Sequence, residues 1–254
     1  HYLGHVLSEA GIKTDDAKTK CVRELPVPRT VRNLRSFLGF ASYYRRFVPK
    51  FAEHARPLHA LVGVCQGHDP KYFRQRWSTE CQQAFESLKN KFSSTPILAF
   101  ADFTKPFVLD VDASLSGLGA VLSQVQEGQE RVVAYASRTL RDSEKKMRNY
   151  SSRKLELLGL KWAVIDKFKE YLHGSQFTVR TDNNPLVHLK TAKLSAVEQR
   201  WAGELASFDF RIEYRPGRVN KNADGLSRQS EGDENTSSES PLIDGPNISN
   251  VVAT

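Results

Sequence analysis

The sequence predicts an α/β (α+β) fold in which a mixed five-stranded sheet is flanked by helices and preceded by a small helical unit. After a short hairpin, apolar residues recur mainly with a helical period from residue 15 to about residue 95, and they alternate with a strand period from Pro96 onward. After Pro96 the elements follow the order β-β-β-α-β-α-α-β-α, which is typical of helices packed on a mixed sheet. Short turns make the first three strands antiparallel, and the long helix lets the fourth strand lie parallel to the first.

The amino-terminal part is predicted to be a hairpin followed by helices. Residues 1–14 alternate apolar and polar side chains and indicate a β-hairpin. Residues 15–64 have a helical period, and Thr30 is placed to cap a helix. Residues 65–76 are polar and basic and favour a connector, after which Ser78 can cap a helix with one apolar face.

The second part is predicted to carry the sheet. Its strands are expected at Phe107–Asp112, Leu118–Gln124, Arg131–Ser137, Phe177–Thr181 and Phe210–Tyr214. Its helices are expected at 151–172, after Asn183-Asn184-Pro185, at 196–207 and around 223–226. The chain is thereby divided into the hairpin and helical unit (1–64), a connector helix (65–95), the sheet domain (96–228) and a disordered acidic linker (229–254).

The formal net charge of +8 at pH 7 is unevenly distributed along the chain. Residues 229–254 carry five acidic side chains and no Lys or Arg, so the remainder is more basic than the total suggests. A basic globular body favours nucleic acid as the partner, although many basic domains bind none.

The cysteines and the apolar runs narrow the class of protein further. Cys21, Cys65 and Cys81 are too widely spaced to suggest a metal site, and they favour reduced thiols in a cytosolic or nuclear protein. No apolar run approaches the roughly 20 residues needed to span a bilayer, so we expect no membrane partner. The chain begins in mid-pattern at His1, which indicates a piece of a longer polyprotein.

Four carboxylates are candidate metal ligands. Asp112 and Asp182 each end an apolar strand, so adjacent parallel strands would bring both to one edge of the sheet. Glu156 lies on an apolar helix face, where a charge is unfavourable unless it is paired or bound to a metal. Asp224 follows a Pro-Gly turn and could return to the same edge. Clustered carboxylates persist with cations between them, and their hard oxygens suit Mg²⁺ or Mn²⁺.

Each of these acids also has an ordinary explanation. A strand-end Asp is most often a turn former, a helical Glu is most often solvated, and Asp224 suits the amino terminus of a helix. Asp110, two residues before Asp112, is interpreted as a rim residue in preference to a supplementary ligand. Spacing alone therefore leaves metal binding as one of two interpretations.

Short motifs occur in a fixed order along residues 1–228. They are FVLDVDAS (107–114), GLGAVLSQ (117–124), AYASR (134–138), NY (149–150), KLELL (154–158), FTVRTD (177–182), EQRW (198–201) and NADGLSR (222–228). Together these resemble the ribonuclease H of gypsy-class long-terminal-repeat retrotransposons. Upstream, YLGHVLS (2–8) and RSFLGFASYYRRF (35–47) resemble the end of the polymerase palm and the thumb of the same Pol polyproteins.

The resemblance implies a ribonuclease H-like fold and an endonuclease that cuts the RNA strand of an RNA–DNA hybrid. It assigns two Mg²⁺ or Mn²⁺ ions to Asp112, Glu156, Asp182 and Asp224, and it implies no small-molecule cofactor. The polymerase's own aspartates would precede residue 1, so the polymerase palm and the integrase would belong to the remainder of the Pol polyprotein. The location expected for such a protein is cytoplasmic or nuclear, within a retroelement particle.

The chain departs from the family pattern beside two of these acids. Asn183 stands where the family usually has His, and Gly225 stands where it usually has Ala. Asn183 can still form hydrogen bonds, whereas Gly225 is expected to loosen the last helix and the placement of Asp224. We expect altered activity and not its loss.

Basic and polar side chains suggest how nucleic acid would be held. In the helical unit the aromatic residues are expected to form a core, so contact with phosphates is assigned to the arginines alone: Arg32, Arg35, Arg45 and Arg46. In the sheet domain the candidate backbone contacts are Ser114, Arg138, Asn149, Tyr150 and Asn183. The alternative function is a non-catalytic nucleic-acid-binding or assembly module from a decayed or host-recruited retroelement.

Overall fold

The computed structural model describes residues 5–15, 20, 22, 24–94, 96–115, 117–145, 152–181 and 194–215. The described strands are β1 (His5–Ser8), β2 (Gly11–Thr14), β3 (Phe107–Ser114), β4 (Gly117–Gln126), β5 (Gln129–Arg138), β6 (Phe177–Thr181) and β7 (Phe210–Tyr214). The described helices are α1 (Val31–Tyr43), α2 (Phe51–Val64), α3 (Pro70–Arg76), α4 (Thr79–Ser93), α5 (Asp142–Lys145), α6 (Ser152–Lys161), α7 (Lys169–Leu172) and α8 (Ala196–Leu205), with a 3-10 turn at Arg45–Phe47 and a π-helical turn at Trp162–Lys167.

Five strands form one mixed sheet in the order β5-β4-β3-β6-β7. β4 pairs antiparallel with both β3 and β5, while β6 pairs parallel with β3 and with β7. The predicted fold class is confirmed, including the parallel pairing of the first and fourth strands of the sheet domain. Because β3, β6 and β7 are parallel, they end at the same side of the sheet, which we call the carboxyl edge.

The crossover between β3 and β6 runs through α6 and packs tightly on the sheet. A Cβ atom at Gly159 would lie 3.1 Å from the Cβ atom of Ala113 and 3.2 Å from Cγ1 of Val111. The helix predicted over 151–172 is interrupted by the π-helical turn, where Phe168 N–H donates to the Ala163 carbonyl oxygen at 2.9 Å. Such a turn holds one additional residue, which a periodicity analysis does not detect.

The helical unit has its own core, which extends onto the sheet. Thr30 Oγ1 accepts a hydrogen bond from Asn33 N–H and Ser78 Oγ accepts one from Cys81 N–H, so both predicted caps are confirmed. The buried residues of this core come from α1, α2, α4 and one face of β5 and include Leu34, Phe37, Phe51, Leu58, Phe85, Leu88, Val132 and Tyr135. No described helix has the length and apolarity needed to cross a membrane.

Residues 65–76, predicted as a connector, contain the short helix α3. Asp69 caps α3 by accepting from Tyr72 N–H at 2.7 Å, and Phe73 inserts into the core with 0% of its surface exposed. A seven-residue helix with one buried aromatic side chain has too few apolar positions to produce a helical period. Cys65 and Cys81 are buried free thiols, and Cys21 lies outside the described residues.

At the end of β5, Ser137 forms two hydrogen bonds with the helical unit. The Arg45 guanidinium donates to the Ser137 carbonyl oxygen, and Ala52 N–H donates to Ser137 Oγ at 2.9 Å. The Arg45 guanidinium also lies 5.4 Å from the centre of the Phe51 ring. These contacts fix the segment between the 3-10 turn and α2 directly above the sheet.

Candidate metal centre and nucleic-acid surface

Asp112 is the third residue from the end of β3, near the carboxyl edge. Its side chain is 49% exposed, and its Oδ2 atom lies 3.1 Å from Nζ of Lys50. Asp112 pairs with Gly119 on β4, and Gly119 pairs with Ser137 on β5. Directly opposite residues in antiparallel strands project their side chains on the same face, so Asp112 faces the docked segment of the helical unit.

Glu156 approaches the same edge from the other face of the sheet. It lies on α6, three residues before Gly159, so both residues share the helix face that packs on β3. Only 6% of Glu156 is exposed. Because α6 leads from the carboxyl edge back to the amino end of β6, Glu156, in its second turn, lies toward the carboxyl edge. Its burial agrees with the apolar helix face predicted around it.

The other predicted ligands and several predicted contacts fall outside the described residues. Asp182 directly follows Thr181, the last residue of β6, but it is not described itself. The same applies to Asp224, Asn149, Tyr150 and Asn183. Across the part of the chain that is described, no group of three or more Asp, Glu, His and Cys side chains could hold a metal ion.

The interpretation of Asp110 as a rim residue is wrong. It is 8% exposed and lies inside the sheet, so it is not a rim residue. Burial raises the pKa of Asp110 to about 6, and the nearby Arg180 guanidinium opposes that rise. Arg180 itself is paired with Glu130 at 2.7 Å. Asp110 therefore belongs to a buried polar group on the sheet face and not to the exposed edge.

The two described acids fit a divalent cation. Both supply carboxylate oxygens, the donors that Mg²⁺ and Mn²⁺ take in proteins. The Lys50 ammonium already lies at Oδ2 of Asp112, so the site has room for a positive charge at that oxygen. The remaining two ligands of the predicted set, Asp182 and Asp224, stay a prediction.

The four arginines predicted to contact phosphates lie on α1 and in the 3-10 turn. Arg32 and Arg35 are exposed on α1, and Arg45 and Arg46 are half-buried. Partial desolvation, followed by the charges of Arg45 and Arg46, lowers the pKa of Lys167, so the three cations lie within electrostatic range of one another. Sequence reasoning missed Lys167 because it is distant from the arginines along the chain, and only the tertiary structure brings it to them.

Two predicted contacts of the sheet domain are described. Ser114 is the last residue of β3 and is half-buried. The Arg138 guanidinium forms two hydrogen bonds with Glu144, at 2.6 and 2.9 Å, and lies 5.7 Å from the centre of the Trp162 ring. Arg138 thus has a structural role already, and its contact with nucleic acid stays a prediction.

A buried acid outside the predicted site braces α6. Glu198 is 3% exposed and accepts hydrogen bonds from the backbone and the hydroxyl of Ser195, at 2.8 and 2.6 Å. Arg153, in the first turn of α6, donates to Glu198 at 3.2 Å. Burial alone would raise the pKa of Glu198, but the Ser195 hydrogen bonds and the Arg153 charge hold it below its usual range. Ser195 and Glu198 have the spacing of a capping box, and this pattern could have predicted the bonded Glu198 from the sequence.

Comparison with known proteins agrees with this fold. Residues 77–179 match the family described as the RNase H-like domain found in reverse transcriptase. The chain is 37% identical over 232 residues to the retrovirus-related Pol polyprotein from transposon 412 of Drosophila melanogaster, covering 89% of this chain and 18% of that protein. It is 39% identical over 235 residues to the Pol polyprotein from transposon gypsy of the same organism, covering 90% and 22% respectively.

A solved structure has the same architecture. The foamy viral protease-reverse transcriptase in complex with an RNA/DNA hybrid matches with a TM-score of 0.67 at 21% identity, over 95% of this chain and 31% of that one. At this identity the likeness supports the fold alone. The chain spans about a fifth of the length of the curated relatives it matches. The chain is similar to the Pol polyproteins of transposons 412 and gypsy, and its residues 77–179 match the RNase H-like domain found in reverse transcriptase.

Proposed function

We propose that this chain hydrolyses the RNA strand of RNA–DNA hybrids with the help of divalent cations. The observation that best supports the proposal is the parallel pairing of β3 and β6. It sets Asp112 at the carboxyl edge, beside the strand that leads into Asp182, while the buried Glu156 approaches that edge from α6. Acids of this kind at the ends of neighbouring parallel strands are arranged to share cations.

In this proposal Asp112, Glu156, Asp182 and Asp224 hold two Mg²⁺ or Mn²⁺ ions. Bound there, the ions would supply an activated water molecule and charge stabilisation for the leaving oxygen of a phosphodiester. The protein's own part is to hold its carboxylates in place. The Lys50 ammonium lies 3.1 Å from Oδ2 of Asp112, and the packing of α6 on β3 fixes the backbone at Glu156.

The arginines of the helical unit would hold the hybrid through its phosphates. Arg32 and Arg35 are exposed on α1, and Arg45 is fixed by Ser137 beside the sheet. Such contacts are independent of base sequence and release counterions, so affinity falls as salt rises. The similar foamy viral reverse transcriptase was solved with an RNA/DNA hybrid, which supports the choice of partner.

The remaining parts of the proposal concern the protein's context. The polymerase palm and the integrase would come from the remainder of the Pol polyprotein, as in relatives of which this chain spans about a fifth. We place the activity in a retroelement particle in the cytoplasm or the nucleus.

A cleavage assay with an RNA–DNA hybrid and Mg²⁺ tests the proposal. We expect cleavage by the wild type and a loss of at least a hundredfold in Asp112→Asn, since removing one charged ligand weakens the binding of the cations. Asp209→Asn is the matched control, because Asp209 is an exposed acid at the amino ends of β6 and β7, opposite the carboxyl edge. Absence of cleavage by the wild type, or full cleavage by Asp112→Asn, would refute the proposal. Binding of the hybrid without cleavage would instead support the non-catalytic module.

A further inference from the structure

Lys50 reaches the predicted metal-binding carboxylate from another part of the fold. It precedes α2 in the helical unit, yet its Nζ atom lies 3.1 Å from Oδ2 of Asp112 on β3. Both side chains are 49% exposed. An ion pair with that exposure is usually weak, because water screens it and both side chains lose freedom. The position of Lys50 therefore needs an explanation beyond simple stabilisation.

The backbone at Lys50 is held firmly in place. Its neighbours Val48 and Phe51 are 1% and 2% exposed, and Ala52 N–H donates to Ser137 Oγ on β5. Lys50 has φ of 50°, in the left-handed region that non-glycine residues seldom adopt. A lysine in that conformation is less favourable than glycine or asparagine would be. The chain thus presents a cationic side chain from an anchored and slightly strained position.

The sheet leaves open space beneath the Lys50 side chain. Asp112, Gly119 and Ser137 lie opposite one another across β3, β4 and β5. Among the described residues, a Cβ atom at Gly119 would meet the carbonyl oxygen of Asp112 alone, at 3.7 Å. With neighbouring strands about 4.8 Å apart, Lys50 extends from its anchor above Ser137 toward Asp112 over a position without a side chain.

We infer that Lys50 is a counter-cation built into the metal site, and that a divalent ion displaces its ammonium from Asp112. The inference rests on the proposed function, which makes Asp112 a metal ligand. The ammonium and the divalent ion compete for the same carboxylate oxygen, so Lys50 weakens metal binding and holds the Asp112 side chain in place before the metal arrives. Lys50 is a positioning residue, and metal binding releases one link between the helical unit and the sheet.

The competition can be measured by titrating the chain with Mn²⁺ in a calorimeter, without substrate. The relevant site is the one that Asp112→Asn abolishes. We expect Lys50→Met to bind Mn²⁺ about twofold to fivefold more tightly than the wild type, the range that an exposed ion pair implies. Lys50→Arg, which keeps the cation, should bind like the wild type, and Lys50→Glu should bind more tightly than Lys50→Met.

Lys105→Met is the matched control. Lys105 forms an ion pair of similar length and exposure with Asp102, at 3.2 Å, but Asp102 lies outside the proposed metal site. The control should therefore leave Mn²⁺ affinity unchanged. An equal gain in Lys105→Met would mean that net charge alone sets the affinity, and it would overturn the inference.

Thermal unfolding provides a second readout, which also verifies that each variant folds. Because a ligand stabilises the native state according to its affinity, Mn²⁺ should raise the melting temperature of Lys50→Met more than that of the wild type. Unchanged or weaker Mn²⁺ binding by Lys50→Met, in a wild type that binds Mn²⁺ and cleaves hybrid, would overturn the inference and leave the proposed function standing. A wild type that neither binds Mn²⁺ nor cleaves would overturn both.

Discussion

Gly159 is the point at which helix packing and the candidate site can be tested together. A Cβ atom there would lie 3.1 Å from Cβ of Ala113 and 3.2 Å from Cγ1 of Val111. Neither neighbour can turn away, because one is a single methyl group on a central strand and the other is a β-branched side chain. The substitution Gly159→Ala should therefore push α6 away from β3 by a few tenths of an ångström.

Two opposing effects set the expected change in stability. Replacing Gly by Ala inside a helix stabilises it by about 0.8–1 kcal/mol, whereas overpacking a core costs about 1–3 kcal/mol. The expected net result for Gly159→Ala runs from no change to a loss of about 2 kcal/mol. Gly203→Ala is the matched control, since Gly203 is an exposed residue of α8 with no atom within 4 Å of its would-be Cβ. Gly203→Ala should be stabilised by the whole difference in helix propensity, which corresponds to an increase of about 2–4 °C in melting temperature.

Denaturant unfolding of both variants measures the difference directly. A double-mutant cycle with Ala113→Gly isolates the contact, because that second change removes the methyl group that the new Cβ would meet. We expect a favourable coupling of about 1 kcal/mol between the two substitutions. Since Glu156 lies one turn before Gly159, Gly159→Ala should also weaken Mn²⁺ binding. If Gly159→Ala were as stabilising as Gly203→Ala, the close packing of α6 on β3 would be refuted.

Three further predictions follow from other contacts. Glu198→Gln should lower the free energy of unfolding by about 1.5–3 kcal/mol at pH 7. Because folding lowers the pKa of Glu198, this loss is present above the ordinary glutamate pKa of 4.5 and shrinks as the pH falls through the folded pKa. A loss that does not change with pH in denaturant unfolding would contradict the prediction. Gly117→Ala should destabilise by about 1–3 kcal/mol, since its Cβ would lie 2.5 Å from the Arg138 carbonyl oxygen, and an unchanged melting temperature would count against that contact. Replacing Arg32 or Arg35 by Ala should weaken hybrid binding for all sequences and reduce the slope of log affinity against log salt by about 1 each; an unchanged slope in a salt titration would remove that residue from the phosphate-binding surface.

The predictions made from sequence succeeded where a local pattern contains the information. The strand Phe177–Thr181 and the caps at Thr30 and Ser78 occur where they were predicted, because alternation and capping are properties of neighbouring residues. The π-helical turn and α3 were missed. Each depends on a few side chains that fit an existing core, and such a fit leaves no period along the chain.

For the candidate site, sequence by itself determined which acids could act. It predicted that Asp112 and Asp182 end strands, but β3 continues two residues past Asp112, to Ser114, and Asp182 lies outside the described residues. Spacing could not decide whether Asp112 and Glu156 are ligands or ordinary polar residues, and the motifs supplied that choice. The tertiary structure decided the surroundings: it buried Asp110 within the sheet, fixed Glu156 through the contact of Gly159 with β3, and brought Lys50 to Asp112. These relations join residues that are far apart in the chain. They follow from strand register and helix docking, which are set by the packing of the whole core and not by any single segment.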